Sequence, residues 1–250
     1  ADARWRPFEE SPVAHQPLLF SLLFATALAL ASLPSLADRI PPQACTGPAL
    51  VEEDDPIAEF NRRVNEHLVG QNFHEVVNYT LRSRKELATW VSEAAAAELG
   101  LANPFVDDQS HLRPTLILGI LDSLKLNQSR GVAAARLFET GRVFMEVNGT
   151  VQECVSVGFI LAHNPKDRAW LARPEPDFYA VKREIEVLAQ FAGIDLGREG
   201  LTPVRGGFWG WQEGQSAAAG DIANGWTARF GLLNLAMVRA AGIEGKVWGG

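Results

Sequence analysis

The alternation of apolar and polar positions divides most of the chain into amphipathic helices and strands. The first helical pattern covers residues 55–70 and ends at a glycine. Asp55 is the expected N-cap, and Pro56 suits the first turn because its missing N–H is not needed there. Helical spacing predicts one buried stripe on this helix, formed by Ile57, Phe60, Val64 and Leu68.

Residues 73–81 follow a two-residue period instead, which predicts a strand. Its apolar face would contain Phe73, Val77, Tyr79 and Leu81. Its other face would contain His74, Asn78 and Thr80. One face should therefore pack against the core, while the other meets water or another subunit.

The middle of the chain predicts two more helices. Residues 84–97 have helical spacing at Leu87, Trp90, Val91 and Ala94. A short extended segment should end at Asn103, because the residue before a proline is driven out of the helical region. Pro114 then opens the clearest helix, which should stop near Gly131. Its buried stripe is Ile117, Ile120, Leu121 and Leu124.

The second half of the chain predicts a hairpin, one helix and further strands. Residues 135–163 read as two strands joined by Asn148-Gly149, a dipeptide that favours tight hairpin turns. A helix should run from Pro176 to Gly193, with Phe178, Val181, Ile185 and Leu188 buried. From Leu201 onward, dense glycine and tryptophan predict several short strands of the same sheet. The fold class is therefore α+β.

Residues 1–44 do not fit this pattern. No Asp, Glu, Lys or Arg lies between Ser11 and Ala37, and residues 18–33 are nearly all apolar. Such a run can be a secretory signal, although Glu9 and Glu10 stand where a signal carries positive charge. Three interpretations stay open: a locally mistranslated or degenerate segment, a targeting segment, or a buried helix. A polar linker follows, and residues 45–250 are expected to form the core domain of a longer protein.

Composition narrows the possible functions. With 250 residues, 47% of them hydrophobic, the chain can bury a substantial core. A net charge of −7 argues against a broad basic surface for nucleic acid, so any RNA contact is local or supplied by partners. The cysteines, Cys45 and Cys154, are too few for a disulfide framework, which favours a reduced, cytoplasmic compartment. The five histidines lack metal-site spacing, so no metal site is expected.

Four sequence blocks carry a family resemblance. They read F-H-E-V-V-N-Y-T-L-R-S at 73–83, A-N-P-F at 102–105, L-R-P-T-L-I-L-G-I-L at 112–121 and L-F-E-T-G-R-V-F at 137–144. In this order they resemble the core of the β chain of bacterial phenylalanine–tRNA ligase. The family-motif positions are Asn103, Arg113, Asn127, Arg130, Glu139 and Gly141. Read without the resemblance, Asn127 and Arg130 form an ordinary helix end.

The resemblance implies a class II aminoacyl-tRNA synthetase-like fold, an antiparallel sheet flanked by helices. In that class the first helix and strand lie at a subunit interface. The interface candidates are Phe60, Val64, Phe73, His74, Asn78 and Tyr79. Without the resemblance, the same helix and strand would be an ordinary part of the core.

The resemblance also bears on catalysis. Catalytic class II enzymes place an arginine after the second-motif strand, where it grips the ATP α-phosphate, and the matching position here is Met145. A thioether cannot replace a bidentate cation. No catalytic residue is therefore expected in this chain.

The function expected from the resemblance is a silent scaffold that assembles with the catalytic α subunit in an α₂β₂ enzyme. ATP, Mg²⁺ and tRNA(Phe) would be bound by that holoenzyme, in the cytoplasm and away from membranes. The alternative is an exported α+β binding protein led by the apolar segment at residues 11–37.

Overall fold

The structure, a computed structural model, describes residues 55–88, 90–132, 134–147, 149–163, 174–204, 210–221 and 225–250. The apolar N-terminal segment, the linker and Gly206-Gly207 lie outside these ranges. Among the described helices, none combines the length and the apolar character needed to cross a membrane.

Seven strands form one sheet. In chain order they are β1 (His74–Glu75), β4 (Ala135–Val147), β5 (Thr150–His163), β6 (Thr202–Pro203), β7 (Trp211–Asp221), β8 (Trp226–Leu233) and β9 (Lys246–Gly249). Their spatial order is β1-β4-β5-β9-β8-β7-β6. Every pairing is antiparallel except the parallel pairing of β1 with β4. Two short strands, β2 (Leu81–Arg82) and β3 (His111–Leu112), pair separately.

Helices pack on this sheet. In chain order they are α1 (Pro56–Gly70), α2 (Arg84–Leu87), α3 (Glu93–Glu98), α4 (Ile117–Ser129), α5 (Phe178–Phe191), α6 (Leu196–Glu199) and α7 (Leu235–Ala240), with a 3₁₀ turn at Asp107–Gln109. Asp55 caps α1 by accepting a hydrogen bond from the Ile57 N–H at 3.0 Å, as predicted. The α+β fold with a largely antiparallel sheet is confirmed.

Alternation along the central hairpin fills a core on each face of the sheet. Leu137 and Ile160 point towards the α4 layer. Phe138 and Phe159 point towards the layer formed by α1 and α5. Because each fully buried side chain of this size contributes about 1.5–3 kcal/mol, the hairpin is held from both sides. The hairpin and the buried stripe of α4 are confirmed predictions. The stripe of α5 is confirmed at Val181, Ile185 and Leu188, while Phe178 is only partly buried.

The predicted strand at residues 73–81 is wrong in its middle. Only its two ends pair, as β1 and β2, and the side chains of Val77 and Tyr79 are 88% and 77% exposed. The segment stays beside β4 as far as Val76, whose N–H donates to the Phe138 carbonyl at 2.8 Å. It then leaves the strand path because Asn78 turns towards a carboxylate of β4.

The helix predicted at residues 84–97 is interrupted. Ser83 caps α2 with a capping box to Glu86, and Ser92 caps α3 separately. The first helix ends at Leu87, and the Ser92 side chain caps the start of a second one. Of the four positions with helical spacing, Leu87 is buried and Ala94 is exposed.

Three smaller expectations also fail. No extended strand precedes Asn103, since only Gly100 forms a bridge there, to His111. Ile57 is 51% exposed rather than buried. After Leu201 the predicted strands of the same sheet are present, but β7 and β8 are long rather than short, and α7 is a helix in a region where only strands were expected.

Candidate functional site

A buried ion pair joins two of the segments that carry the sequence blocks, those at residues 112–121 and 137–144. Arg113, between β3 and α4, donates from Nη1 to Glu139 Oε1 on β4 at 2.6 Å. The two side chains are only 6% and 3% exposed. Burying two charges is costly, so such a pair is tolerated only when further hydrogen bonds satisfy both partners.

Those further bonds are present. Asn78 donates from Nδ2 to Glu139 Oε2 at 2.7 Å, and its Oδ1 accepts from Ser123 Oγ on α4 at 3.0 Å. Arg113 also donates from Nε to the Arg142 carbonyl at 2.9 Å. The polar network therefore ties the irregular segment around Asn78 to both β4 and α4.

Two glycines make room for this network. A Cβ at Gly141 would lie 2.6 Å from Arg113 Nη2, closer than real Cβ contacts. A Cβ at Gly119, on α4, would lie 2.6 Å from both Asn78 Cβ and Arg82 Nη2. Close approach of the helix to residues 78–82 therefore requires a residue without a side chain at this position. Asp122, on the same helix, pairs with Arg82.

The network unites some of the predicted site residues and leaves others apart. Arg113, Glu139 and Gly141 meet at one point, together with Asn78. Asn127 donates to the Ser123 carbonyl at 2.8 Å within α4. Arg130 is exposed at the end of that helix, and Asn103 is exposed in the loop before β3.

The end of α4 has the local geometry expected for a helix C-terminus. The Val132 N–H donates to the Asn127 carbonyl and the Gly131 N–H to the Gln128 carbonyl, both at 3.0 Å. Gly131 has φ +89. This is a Schellman motif, for which a glycine is the usual residue.

The interface candidates divide between core and surface. Val64 and Phe73 are buried in the α1 layer of the core, so their side chains present no surface. Phe60 is half-buried beside them, and Asn78 is committed to the polar network. His74 and Tyr79 are exposed. The exposed candidates therefore lie on the segment that the network holds in place.

A cleft of about 550 Å³ opens beside the hairpin. Met145, Trp90 and Trp211 line it, together with residues 155–158 of β5 and 226–229 of β8. Among its described lining residues, Arg229 is the only ionisable one. Burial lowers the pKa of that guanidinium. No three His, Cys, Asp or Glu side chains cluster for a metal ion anywhere in the described ranges.

Sequence reasoning missed several partners of these residues. Gly119 and Ser123 could have been found from the sequence, because each is a small residue between the large apolar residues of the α4 stripe. Glu184 lies within the buried stripe of α5 and pairs with His67 of α1 at 2.8 Å. A polar residue on an apolar helical stripe is the signal for such a partner.

Comparison with known proteins gives consistent matches. The family model described as phenylalanyl tRNA synthetase beta chain CLM domain matches residues 40–238. The phenylalanine–tRNA ligase β subunit of Novosphingobium aromaticivorans is 30% identical over 193 residues, which is 77% of this chain and 24% of that protein. The β subunit of Cereibacter sphaeroides is 28% identical over 227 residues, covering 86% and 26%. The chain thus spans about a quarter of these relatives' length.

The fold has a match among solved structures as well. A pyrrolysyl tRNA synthetase of Desulfitobacterium hafniense superposes with a TM-score of 0.56 at 15% identity, covering 92% of this chain and 72% of that one. At this identity the similarity concerns the fold alone.

Proposed function

Because the chain belongs to the phenylalanyl-tRNA synthetase β-chain family, we propose that it is a non-catalytic scaffold of a phenylalanine–tRNA ligase. In this role it packs against the catalytic α subunit of an α₂β₂ enzyme in the cytoplasm. The holoenzyme binds ATP, Mg²⁺ and tRNA(Phe), and this chain supplies no catalytic residue. Residues 45–250 are the proposed core domain, and the family match, over residues 40–238, supports a start in this part of the chain.

The composition of the cleft is the observation that carries the proposal of catalytic silence. Phosphate groups in nucleotide sites are held by arginine or lysine, and Mg²⁺ by carboxylates. Met145 stands at the position where the family resemblance calls for an arginine, and it lines the cleft. The described lining residues include one arginine, Arg229, and no carboxylate. These residues do not fit ATP with Mg²⁺.

The exposed part of the segment between β1 and β2 is the proposed contact with the α subunit. Val77 and Tyr79 together expose apolar surface, and His74 is exposed beside them in sequence. Large apolar side chains this exposed are typical of interaction sites when they occur together. In this proposal Val64 and Phe73 belong to the core under the segment and do not contact the partner. Phe60 is half-buried beside them, and Asn78 holds the segment through the polar network.

Co-purification tests the assembly. The 250-residue chain is co-expressed with the α subunit of one of the relatives, and the mass of the purified complex is measured by light scattering. A stable hetero-oligomer is expected. A full-length β subunit of the same relative is the positive control. A monomeric chain, in a preparation where that control assembles, would contradict the scaffold function.

Pyrophosphate exchange tests the silence separately. The chain alone, given ATP, Mg²⁺, phenylalanine and labelled pyrophosphate, should transfer no label into ATP above the rate measured without protein. The assembled α and full-length β subunits provide the active control. Exchange by the isolated chain would show that it contains a working site.

A further inference from the structure

A ten-residue loop between α3 and β3, at residues 101–110, displays a fully exposed phenylalanine. The side chain of Phe105 is 101% exposed, and that of its neighbour Val106 is 46% exposed. A phenylalanine side chain has about 150–250 Å² of surface to bury. Adjacent apolar side chains on a surface can mark an interaction site, and aromatic residues are enriched where proteins contact each other. The loop is therefore a candidate interaction surface.

Hydrogen bonds close the loop that carries Phe105. The Leu101 N–H donates to the Ser110 carbonyl at 2.8 Å and joins the two ends. Ser110 Oγ donates to the Asp107 carbonyl at 2.8 Å, and the Ser110 N–H donates to the Arg82 carbonyl of β2 at 3.1 Å. Compact surface loops whose ends are close together are frequently functional. A loop that is already ordered loses little conformational entropy when a partner covers it, which favours binding.

The chain segments on both sides of the loop are anchored in the core. The Leu112 N–H donates to the Leu99 carbonyl at 2.9 Å. Leu99 is 1% exposed and packs with Leu87 in a small buried cluster, and Leu112 packs against the same cluster. The base of the loop is therefore fixed by the core, while Phe105 in its middle contributes nothing to that core.

Two carboxylates give this surface a negative charge. Asp107 and Asp108 directly follow Val106 and are exposed. Within the part of the chain that the structure describes, neither belongs to an ion pair, and Arg82 on the neighbouring β2 is already paired with Asp122. Such a surface repels phosphate groups, and a second copy of a chain with net charge −7 is a poor partner as well. A protein surface with lysine or arginine suits it.

The loop lies close to the proposed contact with the α subunit. The Arg113 N–H donates to the Thr80 carbonyl at 3.0 Å, and the Ser110 N–H donates to the Arg82 carbonyl at 3.1 Å. Tyr79 and the end of the loop are therefore about four residues apart along one small ladder, which is about 13 Å. A standard interface covers about 800 Å² on each partner, roughly 30 Å across. A partner that covers Tyr79 can therefore reach the loop.

We propose that the loop at residues 101–110 is a second contact with the catalytic α subunit, in which Phe105 enters an apolar pocket whose rim carries lysine or arginine. This contact rests on the proposed scaffold function and adds to it a site and the chemistry of the partner surface. Phe105 supplies the buried contact. The charges of Asp107 and Asp108 speed the encounter, as charges at the rim of an interface do.

Binding of the 250-residue chain to the α subunit of one of the relatives tests the buried contact. Phe105→Ser should raise Kd at least about 30-fold, the loss expected for a buried aromatic anchor. The matched control is Leu126→Ser, at a side chain 50% exposed on α4, which should leave Kd unchanged. Because both side chains are exposed, the melting temperature of the isolated chain should stay the same in both variants.

Association rates test the two carboxylates. Asp107→Asn and Asp108→Asn are combined in one variant, and the loop should keep its shape because Ser110 binds the backbone of Asp107 rather than its side chain. At low salt this variant should associate with the α subunit roughly tenfold more slowly than the unmodified chain, and its rate should depend less on salt. The dissociation rate should change little.

A photo-cross-link identifies the partner surface. With p-benzoylphenylalanine in place of Phe105, irradiation should join the chain covalently to the α subunit, and with the same group in place of Leu126 it should not. If Phe105→Ser binds as well as the unmodified chain and no adduct forms, the loop is not a contact, although the scaffold function stands. An adduct with a second copy of the chain instead of the α subunit would also overturn the proposal. If the unmodified chain does not bind while a full-length β subunit does, the scaffold function and this contact both fail.

Discussion

At the scale of single residues, the buried pair of Arg113 and Glu139 should dominate stability among the ion pairs described. Glu139→Ala leaves the guanidinium buried without its partner, so the free energy of unfolding should fall by about 3–5 kcal/mol. The control is Glu153→Ala, which breaks the exposed pair of Arg142 and Glu153 on the same hairpin. That change should cost less than about 1 kcal/mol. Urea unfolding measures the free energy of unfolding of both variants. Equal decreases in the two variants would mean that the buried network does not stabilise the fold more than an exposed ion pair does.

A second residue-scale prediction concerns His111, which lies beside Ser110 with Oγ 2.9 Å from Nδ1. The pKa of His111 lies below 6.5, mainly because the ring is partly buried and secondly because of the nearby charge of Arg84. The charge of Glu93 acts in the opposite direction and raises the pKa. In an NMR titration, Arg84→Gln should raise that pKa and Glu93→Gln should lower it further. A native midpoint at or above 6.5 would contradict this account.

The same pKa shift sets the sign of one contribution to pH-dependent stability. Because the native pKa of His111 is lowered, the unfolded chain binds the proton more readily just below pH 6.5. The contribution of His111 to stability is therefore present above pH 6.5 and is lost as the pH falls towards the native pKa. A His111→Gln variant should show a shallower loss of stability over that interval.

At the scale of elements, Gly119 controls how closely α4 approaches the segment at residues 78–82. Gly119→Ala would place a Cβ 2.6 Å from Asn78 Cβ, so the helix must move and the free energy of unfolding should fall by about 1–3 kcal/mol. Gly70→Ala is the matched control, since Gly70 is also helical and has nothing within 4 Å of its Cβ position. It should be neutral or stabilising by up to about 1 kcal/mol. A larger loss at Gly70 than at Gly119 would refute the packing argument.

Elements with an unambiguous period could be predicted from the sequence. The stripe of α4, the stripe of α5 and the hairpin at Gly149 each depend on neighbours close in the chain. The conformation in the middle of residues 73–81 could not be predicted, because Asn78 is hydrogen-bonded to Glu139, which lies 61 residues further along the chain. Nothing local distinguishes this asparagine from one on the polar face of a strand.

The candidate site shows the same limit. The family resemblance singled out Arg113, Glu139 and Gly141. It did not predict that they would meet, because their contact depends on how β4 is aligned with the segment before α4.

At the scale of the whole molecule, the segment between β1 and β2 links the internal network to the proposed partner. Asn78 is held from inside by Glu139 and Ser123. Its neighbours Val77 and Tyr79 are therefore presented outwards on a fixed backbone. An exposed tyrosine on a fixed backbone is well suited to be an interface anchor, because its side chain has only two rotatable angles to order when it is buried.

Tyr79→Ser should accordingly weaken assembly with the α subunit while leaving the chain itself intact. Loss of an interface anchor costs about 2 kcal/mol or more, which corresponds to roughly a 30-fold rise in Kd. Since Tyr79 is 77% exposed, the free energy of unfolding of the isolated chain should change by less than about 0.5 kcal/mol. Tyr179→Ser on α5, at a side chain 74% exposed, is the control and should leave Kd unchanged. Equal weakening by both changes, or none by Tyr79→Ser, would place the contact elsewhere on the surface.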